Sequence, residues 1–288
     1  MTGVAIIGTG RLGTSLGLAL SKKGYDIRWL ADKNRAAARE SRGIIRHGKA
    51  TTDIAKAATA AELVFLCVPD DEIERTARTL ARSSVNWRHK YVFHTSGILP
   101  SRALAGLKAK GASCASFHPV QSFSRKNTPT AHFKNITIGL EGDAKAVRIA
   151  RNIAQKFGAR PLLIKARDKV LYHAADSMAS NLFVSLFDMA CALLRSIRIR
   201  DKEAARILLP LVEGTLQNVK HFDRAEAFTG PISRGDADTV QRHLAALKKF
   251  PSAHKAYQVL GAEALRLAKK KGVPPKKIKS LKRMLEET

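Results

Sequence analysis

The first half of the chain alternates short apolar runs with stretches in which apolar residues recur every three to four positions. Residues 4–7, 25–31, 63–68, 91–94, 114–117, 135–139 and 161–164 read as strands. Leu63-Val64-Phe65-Leu66-Cys67-Val68 has no polar alternation, as expected for a strand buried on both faces. Residues 12–23 and 143–157 carry helical periodicity, the first stopped by Gly24. Strands that alternate with helices predict a doubly wound parallel sheet.

The pattern changes after Lys165, where helical periodicity continues almost without strand signal. The spacing predicts two domains, an α/β parallel-sheet domain over 1–165 and an all-α domain over 166–288. Residues 174–194 form a long, mostly apolar stretch interrupted by Asp176, Ser177, Ser180, Asn181, Ser185 and Asp188. Those polar residues predict one buried helix crossing a domain or dimer core, not a membrane span. Gly272-Val273-Pro274-Pro275 separates the final helix from a basic tail.

Composition adds two constraints. The 288 residues include 45% hydrophobic residues, enough for a substantial core, and no run of 18 apolar residues appears. The first residues run straight into a strand, so no secretory leader is expected. Cys67, Cys114 and Cys191 are odd in number and widely spaced, which fits reduced thiols in a cytoplasm. The formal charge is +27, from 51 Lys+Arg against 24 Asp+Glu. Such a field attracts anions. The densest basic segment, residues 269–283, has no interleaved aromatic to stack on bases, so a solvated face is expected and nucleic acid is not.

The sharpest motif is Gly8-Thr9-Gly10-Arg11-Leu12-Gly13, between the first strand and the first helix. Gly8 serves a tight turn, Gly10 leaves room for a pyrophosphate against the backbone, and Gly13 lets the helix pack closely on the strand. The unpaired N–H groups at the helix start face the anion. Strand, glycine turn and helix in that order point to a dinucleotide. Asp32 lies 19 residues after Gly13, where an acid accepts hydrogen bonds from an adenosine ribose and repels a 2′-phosphate. That favours NAD, while Lys33 and Arg35 beside it suit NADP.

Ligands of open α/β sheets bind at the carboxyl ends of the strands. Three polar motifs follow predicted strands there: Val68-Pro69-Asp70-Asp71, His94-Thr95-Ser96-Gly97 and Phe117-His118-Pro119-Val120-Gln121-Ser122-Phe123. In the second half, His173, Ser177 and Asn181 fall at i, i+4 and i+8, one polar stripe on a predicted helix. Phe228-Thr229-Gly230-Pro231-Ile232-Ser233-Arg234-Gly235-Asp236 reads as an irregular loop. Arg234 there suits a carboxylate, and Asp236 suits either Arg234 or a helix cap. His243 follows, one turn after Thr239. The histidines lack metal-ligand spacing, and no nucleophile elbow is present.

Together these motifs, with Tyr172-His173-Ala174-Ala175, Ser180-Asn181, Asn218 and Thr229-Gly230-Pro231-Ile232, resemble a bacterial family of Rossmann-like proteins whose helical C-terminal domain is known as a domain of unknown function, DUF2520. The resemblance runs over roughly residues 3 to 260 and leaves the basic tail outside. That family is similar to pyrroline-5-carboxylate reductase, prephenate dehydrogenase and 6-phosphogluconate dehydrogenase relatives, and some members are proposed to be an alternative type of ketopantoate reductase. The resemblance implies dimerisation through the helical domain. This chain has Asp32-Lys33-Asn34 where many members show a Ser-Arg-Ser-like turn.

The sequence thus predicts an NAD(P)-dependent oxidoreductase moving a hydride to or from a small carbonyl, imine or hydroxy acid. Gly8, Thr9, Gly10, Arg11, Leu12, Gly13, Asp32, Lys33, Val68 and Pro69 are its candidate cofactor residues. His173 is the candidate proton donor, with Ser177 and Asn181 on the substrate oxygen. His94, Ser96, His118, Asn218, Arg234, Asp236 and His243 are candidate substrate contacts. A non-catalytic dinucleotide sensor is the other reading.

Overall fold

A computed structural model describes residues 2–286. Its eight strands are β1 (Gly3–Ile7), β2 (Asp26–Ala31), β3 (Lys49–Thr51), β4 (Leu63–Leu66), β5 (Tyr91–His94), β6 (Ser113–Pro119), β7 (Thr137–Gly142) and β8 (Arg160–Leu163). They form one sheet in the order β3-β2-β1-β4-β5-β6-β7-β8. Pairing is parallel except between β6 and β7, which run antiparallel. Two features depart from the expected pattern. β3 is three residues with no apolar run, so it left no periodic signal. β6 extends through His118 and Pro119, which were expected to lie in a following loop.

Seven helices accompany the sheet: α1 (Arg11–Lys22), α2 (Arg35–Ile45), α3 (Ile54–Thr59), α4 (Asp70–Ala81), α5 (Ala105–Ala109), α6 (Ala144–Phe157) and α7 (Lys169–Ala179). Alternate residues of each strand feed separate cores on the two faces. Ile6, Phe65, Phe93 and Phe117 pack with Leu16 and Ile153 on one face. Ile7, Val64, Leu66 and Val92 pack with Ile73, Leu80 and Leu104 on the other. The Phe65 and Phe93 rings stack with centroids 4.8 Å apart. The polar interior is small. Thr9 is fully enclosed, and its carbonyl accepts from the Thr14 and Ser41 hydroxyls, at 3.1 and 3.2 Å. This ties the glycine turn to both α1 and α2.

The chain divides into two compact units, Met1–Asn181 and Leu182–Thr288. α7 therefore belongs with the sheet, although its residues were expected in the helical domain. The second unit is helical: α8 (Asn181–Ser196), α9 (Asp201–His221), α10 (Arg224–Ala227), α11 (Pro231–Arg234), α12 (Ala237–Leu247), α13 (Pro251–Lys270) and α14 (Pro275–Glu286). Ile232, Val240, Leu244, Leu265, Ala268, Val273, Leu281 and Leu285 make its core. The basic tail is part of this core, because α14 turns Leu281 and Leu285 inward.

The stretch 174–194 corrects the expectation twice. Its helix breaks at Ser180, whose φ of −121° and ψ of −76° end α7 before α8 begins. Nor is it buried: Leu182, Phe183, Val184 and Leu186 are exposed, and Cys191 is the one buried residue of α8. Residues 166–196 are long and apolar enough to cross a membrane by length and composition alone. Asp176, Asp188 and the break at Ser180 sit inside that stretch.

Candidate active site

The glycine turn has the geometry a phosphate-binding loop needs. Gly8 holds φ +94°, and a Cβ there would lie 2.5 Å from the Cys67 carbonyl oxygen. A Cβ on Gly13 would stand 2.0 Å from the Gly8 carbonyl oxygen, so α1 can lie this close to β1 only with glycine at that position. A Cβ on Gly10 would meet nothing within 4 Å, which leaves the backbone open to a ligand. α1 begins at Arg11 without a side-chain cap, so its first N–H groups remain available to an anion. A cleft of about 820 Å³ opens in front of the turn. Gly8, Gly10, Arg11, Leu12, Asp32, Lys33, Val68, Pro69 and Thr95 line it. Those residues fit a dinucleotide with its pyrophosphate at Gly10.

Asp32 stands at the end of β2, in the wall of that cleft. One carboxylate oxygen accepts from the Thr9 N–H at 2.7 Å and the Thr9 hydroxyl at 2.9 Å. The other accepts from the Asn34 N–H at 2.9 Å. The side chain is thus locked, and it couples the ribose end of the cleft to the glycine turn.

Next to the cleft, at the same edge of the sheet, lies a polar cluster contributed by β5, β6, β7 and α7. Gly97 is the reason two imidazoles can meet there. A Cβ on it would lie 2.4 Å from His173 Cδ2 and 2.8 Å from His118 Nε2. The two rings stand with centroids 5.8 Å apart. The Tyr172 hydroxyl lies over Gly139 and shares a 3.0 Å hydrogen bond with His118 Nδ1. Asp176, one turn along α7, has an oxygen 3.9 Å from His118 Nδ1. Burial, and then the charges of Lys169 and His173, push His118 down to about 4. The Asp176 contact is therefore not an ion pair near neutrality. Burial raises Asp176 itself, against the pull of His173 and Tyr172. Burial and then Asp176 push the Tyr172 phenol up.

His94 ends β5 and is completely enclosed, with no hydrogen-bond partner on either ring nitrogen. It was expected to touch substrate and instead stands behind the site. Burial first and Lys169 second push it down to about 3, and the nearby Pro100 carbonyl opposes this without making a bond to the ring. Ser96, another expected contact, uses its hydroxyl to accept the Ile98 and Leu99 N–H groups.

Lys169 is the functional candidate that the sequence reading missed. It is fully buried on the first turn of α7. Its Nζ donates to the Ser116 hydroxyl at 2.7 Å and toward the Ser96 carbonyl at 3.4 Å. Burial pushes its ammonium down to about 8, with Glu141 and Asp70 pulling the other way. A signal was present: Lys169, His173 and Ser177 make the i, i+4, i+8 series on one continuous helix. The stripe proposed through Asn181 crosses the break at Ser180, and Asn181 is exposed at the start of α8.

The remaining candidates stand in the second unit. Asp236 caps α12, accepting from the Thr239 N–H at 3.1 Å and its hydroxyl at 2.8 Å. His243 Nδ1 shares a 2.9 Å hydrogen bond with the Tyr257 hydroxyl. Arg234 is exposed at the end of α11, and Asn218 is half-buried on α9. Among the described residues no cluster of His, Cys, Asp or Glu is arranged to hold a metal.

The fold is shared by proteins of known structure. A Bacteroides fragilis protein provisionally named an NADP oxidoreductase superposes with a TM-score of 0.75 at 23% identity, over 91% of this chain and 97% of its own. Aspergillus terreus reductive aminase, solved with NADPH and ethyl-5-oxohexanoate, gives 0.61 at 18% identity, over 99% and 93%. Coxiella burnetii pyrroline-5-carboxylate reductase gives 0.54 at 15% identity, over 100% and 99%. At these identities the likeness establishes the fold. No curated protein matches the sequence. Residues 2–119 match the Rossmann-like domain and residues 136–264 the domain of unknown function DUF2520. The chain belongs to the Rossmann-like proteins that carry a DUF2520 domain.

Proposed function

We propose that the protein is an NAD(P)-dependent oxidoreductase. It transfers a hydride between nicotinamide and a small carboxylate-bearing carbonyl, imine or hydroxy acid, in the manner of a ketopantoate reductase. One observation carries the reading: the dinucleotide cleft and the imidazole cluster share the segment 94–97, with Thr95 in the cleft wall and Gly97 under His118 and His173. A bound dinucleotide would supply the hydride chemistry. Gly8, Gly10 and Gly13 would hold its pyrophosphate. His173, half-exposed on α7, would hand the proton to or from the substrate, with Ser177 on the same face.

Asp32 favours NAD in this reading, because Thr9 and Asn34 keep its carboxylate from swinging away from a 2′-phosphate. The test is a fluorescence titration of the purified chain with NADH and NADPH. Saturable binding, tighter for NADH and lost in Asp32→Arg, is expected. Absence of binding to either nucleotide would remove the oxidoreductase reading.

We also propose that the working form is a homodimer through the helical unit. α8 exposes Leu182, Phe183, Val184 and Leu186, and α9 exposes Ile207, Leu209, Leu211, Leu216 and Val219. An apolar groove of about 360 Å³, between α8 and α13, continues the same surface. α9 also carries Asp201, Lys202, Glu203, Arg206 and Glu213, which suit a protein surface better than lipid. Sedimentation is expected to give twice the 31.4 kDa chain mass, and Leu211→Glu to give monomers. A monomeric wild type would exclude the dimer. The three cysteines are unpaired, and we place the protein in the cytoplasm.

A further inference from the structure

Resting on the oxidoreductase reading above, we propose that Lys169 is the positioning charge of this site. It is a buried ammonium, braced on Ser116 and the Ser96 carbonyl. It selects a substrate whose reacting atom gains negative charge, a carbonyl oxygen, over one that arrives as a cation, a protonated imine.

The sheet register makes the platform. Leu66 pairs with His94, His94 with Ser116, and Ser116 with Glu141, so these four side chains share one face. One step back along that face the row is apolar: Val64, Val92 and Cys114. His94, Ser116 and Glu141 therefore form a polar row above an apolar floor, and Lys169 comes down on it from α7. Among the described residues no carboxylate oxygen lies within 4 Å of its Nζ. Glu141 is occupied by the Ser101 N–H, at 2.5 Å, and the Ser101 hydroxyl, at 2.8 Å. Contact-range compensation thus comes from a hydroxyl and a carbonyl alone. A buried cation without a paired anion is costly, and its presence beside a cleft points to use.

The groups facing Lys169 complete the picture. From β5 comes His94, and from β6 Ser116 and His118. Glu141 comes from β7 and Asp70 from the start of α4, and Tyr172, His173 and Asp176 share its own helix. Burial, reinforced by Lys169, keeps His94 and His118 uncharged near neutrality. The ammonium is then the fixed positive charge of the cluster. When a hydride adds to a carbonyl carbon, the C=O π pair moves to oxygen. The alkoxide so formed is neutralised by a proton passed through His173 from solvent, with NAD(P)H as the reductant. A fixed cation stabilises that oxygen as it becomes negative. A protonated imine instead brings a positive charge that the hydride removes, so the same ammonium opposes its binding. At an effective dielectric of about 20 and a separation of several ångströms, the preference is on the order of 100-fold.

Two measurements on the full chain test this. First, imidazole ¹⁵N spectra of the wild type should show two histidines that stay neutral below pH 5. In Lys169→Gln, and more mildly in Ser116→Ala, these should titrate about one pH unit higher. Second, calorimetry on nucleotide-saturated protein should show oxamate binding tens-fold tighter than pyrrolidinium. Lys169→Gln should weaken oxamate by about 10- to 100-fold, and Lys169→Arg by much less. Unchanged titrations and oxamate affinity in Lys169→Gln, or pyrrolidinium preferred by the wild type, would overturn the proposal while leaving the oxidoreductase reading intact. Failure of the wild type to bind either nucleotide would end both.

Discussion

Gly13→Ala is expected to weaken nucleotide binding by at least ~100-fold and to destabilise the sheet unit by about 2–3 kcal/mol. The cause is contact with backbone, which has no rotamer to escape into. The new methyl would stand 2.0 Å from the Gly8 carbonyl oxygen and 3.0 Å from the Cys67 Cβ. To relieve it, α1 must move away from β1, and the glycine turn moves with it. Gly10→Ala provides the contrast. Its methyl would meet nothing within 4 Å, so the fold should melt as the wild type does, while the pyrophosphate loses its approach to the backbone. Urea unfolding and nucleotide titration of both variants separate the two effects. Normal binding by Gly13→Ala would show that the turn does not carry the ligand.

The second large effect is acid sensitivity. His94 is held down to about 3 and His118 to about 4, against an ordinary 6.5. As pH falls below 6.5 the unfolded chain takes up these two protons and the folded chain does not, so stability is lost. The loss begins near 6.5 and continues to about 4 for His118 and about 3 for His94. By pH 4 it should reach on the order of 3 kcal/mol for each histidine. Lys169 does not contribute in this window, because its own loss occurs as pH falls from 10.5 to about 8. Chemical unfolding at pH 7, 5.5 and 4.5 measures the slope. His94→Leu should remove close to half of it, and should be tolerated because neither ring nitrogen makes a hydrogen bond. A stability that is flat across that range would contradict the buried, neutral state of both rings.

Most of the sheet was legible because its strands are short, mostly apolar runs with helices between them. What escaped was set by pairing, not by composition. β3 exists because three residues of backbone add to the edge of β2, and Lys49-Ala50-Thr51 carries no hydrophobic pattern of its own. The reversal of β7 depends on the chain returning along β6, which no local spacing records. At the site, the glycine turn could be read from its flanks. Lys169 was harder to read: its spacing from His173 was there, but a lysine at the start of an apolar helix reads as solvated until the fold buries it. His94 was misplaced for the opposite reason: a histidine at a strand end suggests a cleft wall, whereas here the fold encloses the ring completely. The exposure of α8 likewise depends on what does or does not pack against it.

The docking of α14 has a practical consequence for the basic end of the chain. Leu285 lies so close to Gly261 that a Cβ there would sit 2.7 Å from it, and Gly235 is similarly covered by Lys277. Residues 275–286 are therefore a plug whose inner side completes the helical unit and whose outer side carries Lys276, Lys279 and Lys282. Cutting the chain at Gly272 would uncover Leu265, Ala268 and Ile232 together with removing the charge, and insolubility of such a fragment would say nothing about electrostatics. The charge can be lowered cleanly by glutamine substitutions on the outer side alone.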